Sequence, residues 1–176
     1  MSDLVAPTTE LHAAWLAAHA EWGPGQHEDG FGLGPEDVVD TADGFAAWLA
    51  RLRSAPGSTL WWIVEGEAVL GGIALRHPAD GQVPLHGHIG YGIRPSARRR
   101  GLATWALREV LSRASSRGLD RVLVCCDEAN VASAIVIERV GGVLDDFRET
   151  PVGRMRRYWV DLTDRASQPG TSADPA

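Results

Sequence analysis

Apolar positions along the chain follow two periods, one helical and one alternating, and the change comes near residue 57. Leu11, Trp15, Ala18 and Trp22 recur at helical spacing behind Thr8 and Thr9, which suit a helix cap. Phe45, Trp48, Leu49 and Leu52 repeat the pattern from Thr41 until Pro56 and Gly57 stop it. Between these helices, residues 23–35 mix five glycines and two prolines with acids, which predicts a mobile acidic surface loop. Residues 59–65 and 68–75 are instead β-branched or aromatic runs joined at Gly66, a predicted antiparallel hairpin. Trp61 and Trp62 must point to opposite sides of its first strand, so one of them is available to line a cavity.

After a turn-rich gap with Pro78, Gly81 and Pro84, residues 87–94 alternate Ile89, Tyr91 and Ile93 on one face with His88, Gly90 and Gly92 on the other. Two glycines weaken a strand, and the usual compensation is the close approach of a ligand or a second backbone. A helix follows over 101–117 with apolar residues at the 3.6 period, ended by Gly118. Residues 121–126 are apolar throughout after Arg121, as in a parallel strand buried on both faces, so strand, helix and strand form a crossover unit. Asn130 opens a helix to Val140, and residues 142–149 and 154–161 predict a last hairpin. The tail 163–176 is poor in apolar residues and predicts disorder, which leaves residues 1–162 as a single domain.

Composition narrows the function more than the fold. A chain of 176 residues with 44% hydrophobic positions supports one core and not two. A formal net charge of −6 argues against nucleic acid or an anionic membrane as a partner. No window approaches the roughly 18 apolar residues of a spanning helix, and the first residues lack a basic leader, so a cytoplasmic protein is expected. All 17 basic residues are arginines, which removes Schiff-base, phosphate-loop and self-acetylating lysine chemistry together. Cys125 and Cys126 are adjacent in an apolar run and suit reduced core thiols. Residues 1–50 hold nine acids and no arginine.

The junction from Ile93 through Arg98, Arg99 and Arg100 to Gly101, Leu102 and Ala103 carries the main chemical signal. A strand there enters a helix whose first N–H groups and positive dipole end suit a pyrophosphate, with small residues admitting it and arginines adding charge. A solvated basic turn satisfies the same spacing. His77, His86 and His88 have metal-like composition, but two histidines on one strand face without clear further ligands fall short of a zinc site, and no metal is expected. No Gly-x-Ser-x-Gly elbow, Cys-x-x-Cys pair or complete dinucleotide glycine motif occurs.

Arg98-x-x-Gly101-x-Ala103 after the strand end, with Asn130-x-x-Ser133 heading the next helix, resembles the coenzyme A signature of the GNAT acyltransferase superfamily. The stretches GHIGYGIRPSARRRGLA and CCDEANVASAIVIERVGGVL resemble a bacterial subgroup of small-molecule acetyltransferases. The resemblance implies an α/β fold. Its mixed twisted sheet would have six to seven strands and about four flanking helices, with two central parallel strands splayed around acetyl-CoA. Residues 58–162 would form the coenzyme-binding core and 1–57 the acceptor-side helices. It further implies that the Ile93 N–H meets the thioester carbonyl, that the amides of residues 98–103 hold the pyrophosphate, and that Asn130 and Ser133 contact the pantetheine. An amide so placed acts as an oxyanion donor worth roughly 3 kcal/mol.

Two positions depart from the family pattern. Ile137 stands where many relatives carry an acidic tyrosine, and Cys125 where some carry a glutamate base. His88 is then the candidate base, Tyr91 a polar contact or proton donor, and Tyr158 a replacement acid, although each also fits a hydrogen-bonded structural role. The acidic first fifty residues, among them Glu10, Glu21, Glu28, Asp29, Glu36, Asp37, Asp40 and Asp43, favour a cationic small-molecule amine as acceptor and disfavour nucleic acid and membrane partners. The alternatives are a non-catalytic acyl-CoA sensor, a transferase of another acyl group, or one acting on peptide amines. The oligomeric state is left open, and a homodimer is compatible with the resemblance.

Overall fold

Six strands form after residue 57, and in the computed structural model they join one N-terminal strand in a seven-stranded mixed sheet. The structure describes residues 1–23, 33–55, 57–151 and 153–163. The strands are β1 (Ser2–Val5), β2 (Ser58–Glu65), β3 (Ala68–Arg76), β4 (Ile89–Ile93), β5 (Arg121–Asp127), β6 (Val143–Thr150) and β7 (Gly153–Asp161), in the order β1-β2-β3-β4-β5-β7-β6. Neighbours pair antiparallel except β4 and β5, which are parallel. The helices are α1 (His12–Trp22), α2 (Ala42–Ser54), the single turn α3 (Val83–His86), α4 (Leu102–Ser116) and α5 (Val131–Arg139). None of the described helices is long and apolar enough to cross a membrane.

Side-chain alternation along β2 divides the core in two. Trp61 and Ile63 join α4 and α5 on one face, while Trp62 and Val64 join Trp15 of α1 and Phe45, Trp48 and Leu49 of α2 on the other. Neither tryptophan of the pair lines a cavity: Trp62 is sealed in the core, and Trp61 lies beneath the guanidinium groups of Arg113 and Arg117. The α4 stripe predicted from the sequence is the buried one, and Leu107, Val110 and Leu111 each contribute about 1.5–3 kcal/mol by full burial.

Two local features differ from expectation. β1 is a short edge strand paired only with β2, with too few apolar residues to show a period. The turn-rich gap holds α3, whose last residue is His86, so His86 and His88 do not share a strand face. Gly87 separates them in a left-handed conformation, φ 74°, and a Cβ there would meet the Leu123 carbonyl at 2.6 Å. Most of the expected acidic loop, residues 24–32, and all but the first residue of the expected disordered tail lie outside the described residues.

Candidate functional site

β4 holds all its register with β3, from Gly71 opposite Ile93 to Leu75 opposite Ile89, but meets β5 in the ladder only at Ile89 and Val124. Beyond that pair the two parallel strands separate. Arg94 donates its N–H to Leu70 O of β3 at 2.9 Å, and backbone alternation therefore turns the Ile93 N–H to the β5 side. β5 offers it no ladder partner there, while the Ile93 carbonyl accepts from Arg98 Nε at 3.0 Å. A main-chain donor thus faces an opened seam in the middle of a sheet.

A cleft of about 600 Å³ occupies one mouth of this seam. Its walls are β4, the turn into α4 and the start of α5, including Ile93, Arg98, Arg99, Gly101, Leu102, Ala103, Asn130 and Ser133. The turn is left-handed at Arg99 (φ 61°) and at Gly101 (φ 79°), and a Cβ on Gly101 would meet no atom within 4 Å. Conformation rather than space among the protein's own atoms is therefore what selects glycine there. Among the described residues the three arginines have separate tasks. Arg98 bonds Ile93 O and lies 5.3 Å over the Trp22 ring, Arg100 pairs with Glu65 at 2.7 Å, and Arg99 lines the cleft without an ion pair. Arg139, at the end of α5, lines the opposite wall. Asn130 caps α5 by accepting the Ser133 N–H at 3.0 Å.

Sequence reasoning missed Trp22 and Arg139 because each is brought to the cleft by the packing of its helix. The position of Trp22 depends on Glu21, which ends α1 against the β4 turn: its carboxylate accepts from Arg94 Nη2, from the Ser96 N–H at 3.2 Å and from Ser96 Oγ at 3.1 Å. Those contacts hold the Glu21 carboxyl below the usual carboxylate range despite an opposing desolvation effect. Asp37 likewise bonds Arg51 and the Gly34 N–H, which lowers its pKa. The acidic first fifty residues are thus in part neutralised by arginines from later in the chain.

A second cavity of about 310 Å³ opens on the other side and shares Tyr91, Asn130 and Ser133 with the cleft. Arg76, His86, Cys125, Asp127 and Met155 are among its other walls. Tyr91 Oη and Ser133 Oγ are 2.8 Å apart where the two cavities join. His88 lines neither cavity: its Nδ1 accepts the Leu123 N–H at 2.9 Å and its own N–H donates to Leu123 O at 2.6 Å. Tyr158 is fully buried, donates to Glu138 Oε1 at 3.2 Å and lies outside both cavities. Burial pushes the Tyr158 and Cys125 pKa values up, and it pushes those of His86 and His88 down with help from the Arg76 charge. The structure therefore brings Tyr91 to the seam and keeps His88 and Tyr158 from it, while His86, considered from sequence only as a metal ligand, faces the second cavity.

A separated parallel pair, a free strand amide and a helix N-terminus at one cleft define a recurrent architecture. A family model described as an acetyltransferase (GNAT) domain matches residues 4–143. The chain belongs to the GNAT acetyltransferases. Solved structures agree on the fold. The Mycobacterium smegmatis RimJ complex with CoA-disulfide superposes with a TM-score of 0.70 at 17% identity, covering 95% of this chain and 84% of that one. Microcin C7 self-immunity acetyltransferase MccE, in complex with acetyl-CoA and AMP, gives 0.68 at 12%, covering 91% and 92%. A chimera of spermidine N-acetyltransferase SpeG from Vibrio cholerae and hSSAT gives 0.68 at 10%, covering 95% and 99%. No curated protein matches the chain significantly in sequence. In this GNAT chain Ile137, for which the resemblance leads one to expect a tyrosine, is completely buried, and Cys125, for which it allows a glutamate, lies on the second cavity.

Proposed function

We propose that the protein is an N-acetyltransferase that passes an acetyl group from acetyl-CoA directly to the amine of a small acceptor, without a covalent intermediate on the chain. The Ile93 N–H, turned into the seam with no β5 partner, is the observation that carries this reading. The cleft residues fit the coenzyme: the α4 N-terminus and Arg99 suit a pyrophosphate, Arg139 adds charge on the facing wall, and the seam is lined by small or apolar groups. Bound acetyl-CoA supplies the acetyl group as a thioester. The Ile93 amide orients its carbonyl and stabilises negative charge on that oxygen. The hydroxyl pair of Tyr91 and Ser133 donates the proton that the leaving sulfur needs, a task for which Tyr158 is too remote from the cavities. His86, kept neutral by burial and by Arg76, takes the proton from the incoming ammonium. In this reading the acceptor enters the second cavity, walled by residues between Arg76 and Met155. The N-terminal segment expected to wall the acceptor side, residues 1–57, instead reaches the coenzyme cleft through Trp22, beside the core of residues 58–162.

Calorimetry with acetyl-CoA and an assay of thiol release across a panel of amines test the reading together. Acetyl-CoA is expected to bind, and some amines to accelerate thiol release. Ser133→Ala combined with Tyr91→Phe is expected to lower kcat by about 100-fold, a loss much larger than its effect on coenzyme affinity. Absence of coenzyme binding would overturn the proposal, and binding without release by any amine would favour a sensor of acyl-CoA.

A further inference from the structure

The second cavity is lined by a guanidinium, that of Arg76, which makes no ion pair among the described residues. Arg76 ends β3, where its N–H donates to His88 O at 2.6 Å. Its guanidinium donates through Nη1 to Gly87 O at 3.1 Å, and that is its one side-chain hydrogen bond among the described residues. Arg51, Arg94, Arg100, Arg154 and Arg157 each have a carboxylate within ion-pair distance, and Arg76 has none among the described residues. Burial disfavours its charge, and Asp80 favours it through space. A guanidinium retains its proton under such conditions, so an anion entering the cavity meets a cation that no ion pair among the described residues already engages.

The rest of the wall limits what that partner is. Burial keeps His86, Cys125 and Cys126 in their neutral forms, and Met155 is apolar. Asp127, which accepts the Ala129 N–H on Oδ1 at 2.7 Å, puts an acid on the same cavity. One cation beside one carboxylate suits a monoanion bearing an amine and is a poor match for a phosphate dianion, which needs more than one positive group. A space of about 310 Å³ holds roughly ten waters, hence an acceptor of no more than about that many non-hydrogen atoms.

We propose that Arg76 binds the carboxylate of the acceptor, so that the substrate class is a small amino acid whose amine reaches the Tyr91 and Ser133 junction. This rests on the N-acetyltransferase reading above. Guanidinium and carboxylate pair through parallel N–H donors, and the Arg76 Nε and Nη2 groups are available for that fork among the described residues.

Glycine, β-alanine and γ-aminobutyrate, each compared with its amide, test the assignment by thiol release, with acetyl-CoA affinity measured in parallel. At least one acid is expected to exceed its amide in kcat/KM by about tenfold or more. Arg76→Gln should raise KM for that acid and lower the acid-to-amide ratio of kcat/KM about tenfold, a ratio from which any effect on His86 common to both substrates cancels, at unchanged coenzyme affinity, and Arg76→Lys should restore part of the preference. Unchanged coenzyme affinity also certifies that the variants fold. Equal rates for acids and amides in the unaltered protein, no turnover of any acid in the series, or indifference of the acid to Arg76→Gln would each overturn the assignment. Failure of the underlying reading looks different: acetyl-CoA does not bind, or no amine of any kind, spermidine and peptides included, releases thiol.

Discussion

His88 is fixed at the point where β4 and β5 still touch, and its Nδ1 must be unprotonated to accept the Leu123 N–H. Burial holds its pKa below the unfolded value near 6.5, with the Arg76 charge acting in the same direction. The unfolded chain therefore binds protons first as pH falls, and the contribution of this residue to stability, complete above about pH 6.5, is lost as pH drops through the folded-state pKa. Each unit of pKa separation corresponds to about 1.4 kcal/mol. The urea midpoint of the unaltered protein should thus decline between about pH 7 and pH 5, and the decline should be shallower in His88→Asn, whose amide oxygen accepts the same N–H without titrating. An equal slope in both would exclude His88 as its source and leave His86, whose pKa is also lowered. Such a role was invisible in the sequence, because a histidine on a glycine-rich strand reads equally well as a base; only the Leu123 N–H, thirty-five residues away, distinguishes the two.

At the level of elements, the turn between β4 and α4 was legible because its signals are local. Left-handed backbone selects Gly101, and the helical stripe behind it repeats within the same segment. Gly101→Val should weaken acetyl-CoA binding by about tenfold or more, since a β-branched residue at φ 79° strains the N–H groups that would face the pyrophosphate. Calorimetry checks this, and an affinity equal to that of the unaltered protein would detach the turn from coenzyme binding. The paired strands β2 and β3, the α5 cap at Asn130 and the hairpin of β6 and β7 were legible for the same reason, as turn and cap residues act on their neighbours. β1 was not, since four residues at a sheet edge are strand only because β2 lies beside them. Nor was the turn α3, too short to show a period.

Across the whole molecule, the N-terminal half and the coenzyme cleft are joined through Glu21, which fastens the end of α1 to Arg94 and Ser96 and so sets Trp22 against Arg98. Glu21→Ala should release that corner and weaken acetyl-CoA binding by about threefold or more, whereas Asp37→Ala, which breaks a pair within the N-terminal half, should not change it. Equal affinities in both variants would show that Trp22 does not need this anchor. The same long-range pairing explains why charge counted along the sequence overstated the acidity of the first fifty residues: Arg51 and Arg94 approach Asp37 and Glu21 only in the fold. By itself the sequence determined the long helices, the two hairpins and the motif-bearing turn, because periodicity, caps and backbone handedness are properties of residues close together in the chain, and the mixed sheet came from the resemblance those motifs carry. The separation of β4 from β5, the joining of two cavities at Tyr91 and Ser133, and the exclusion of His88 and Tyr158 from both were decided by tertiary structure. Each of these depends on which distant backbone donor or side chain meets the residue, and spacing along the chain does not encode that.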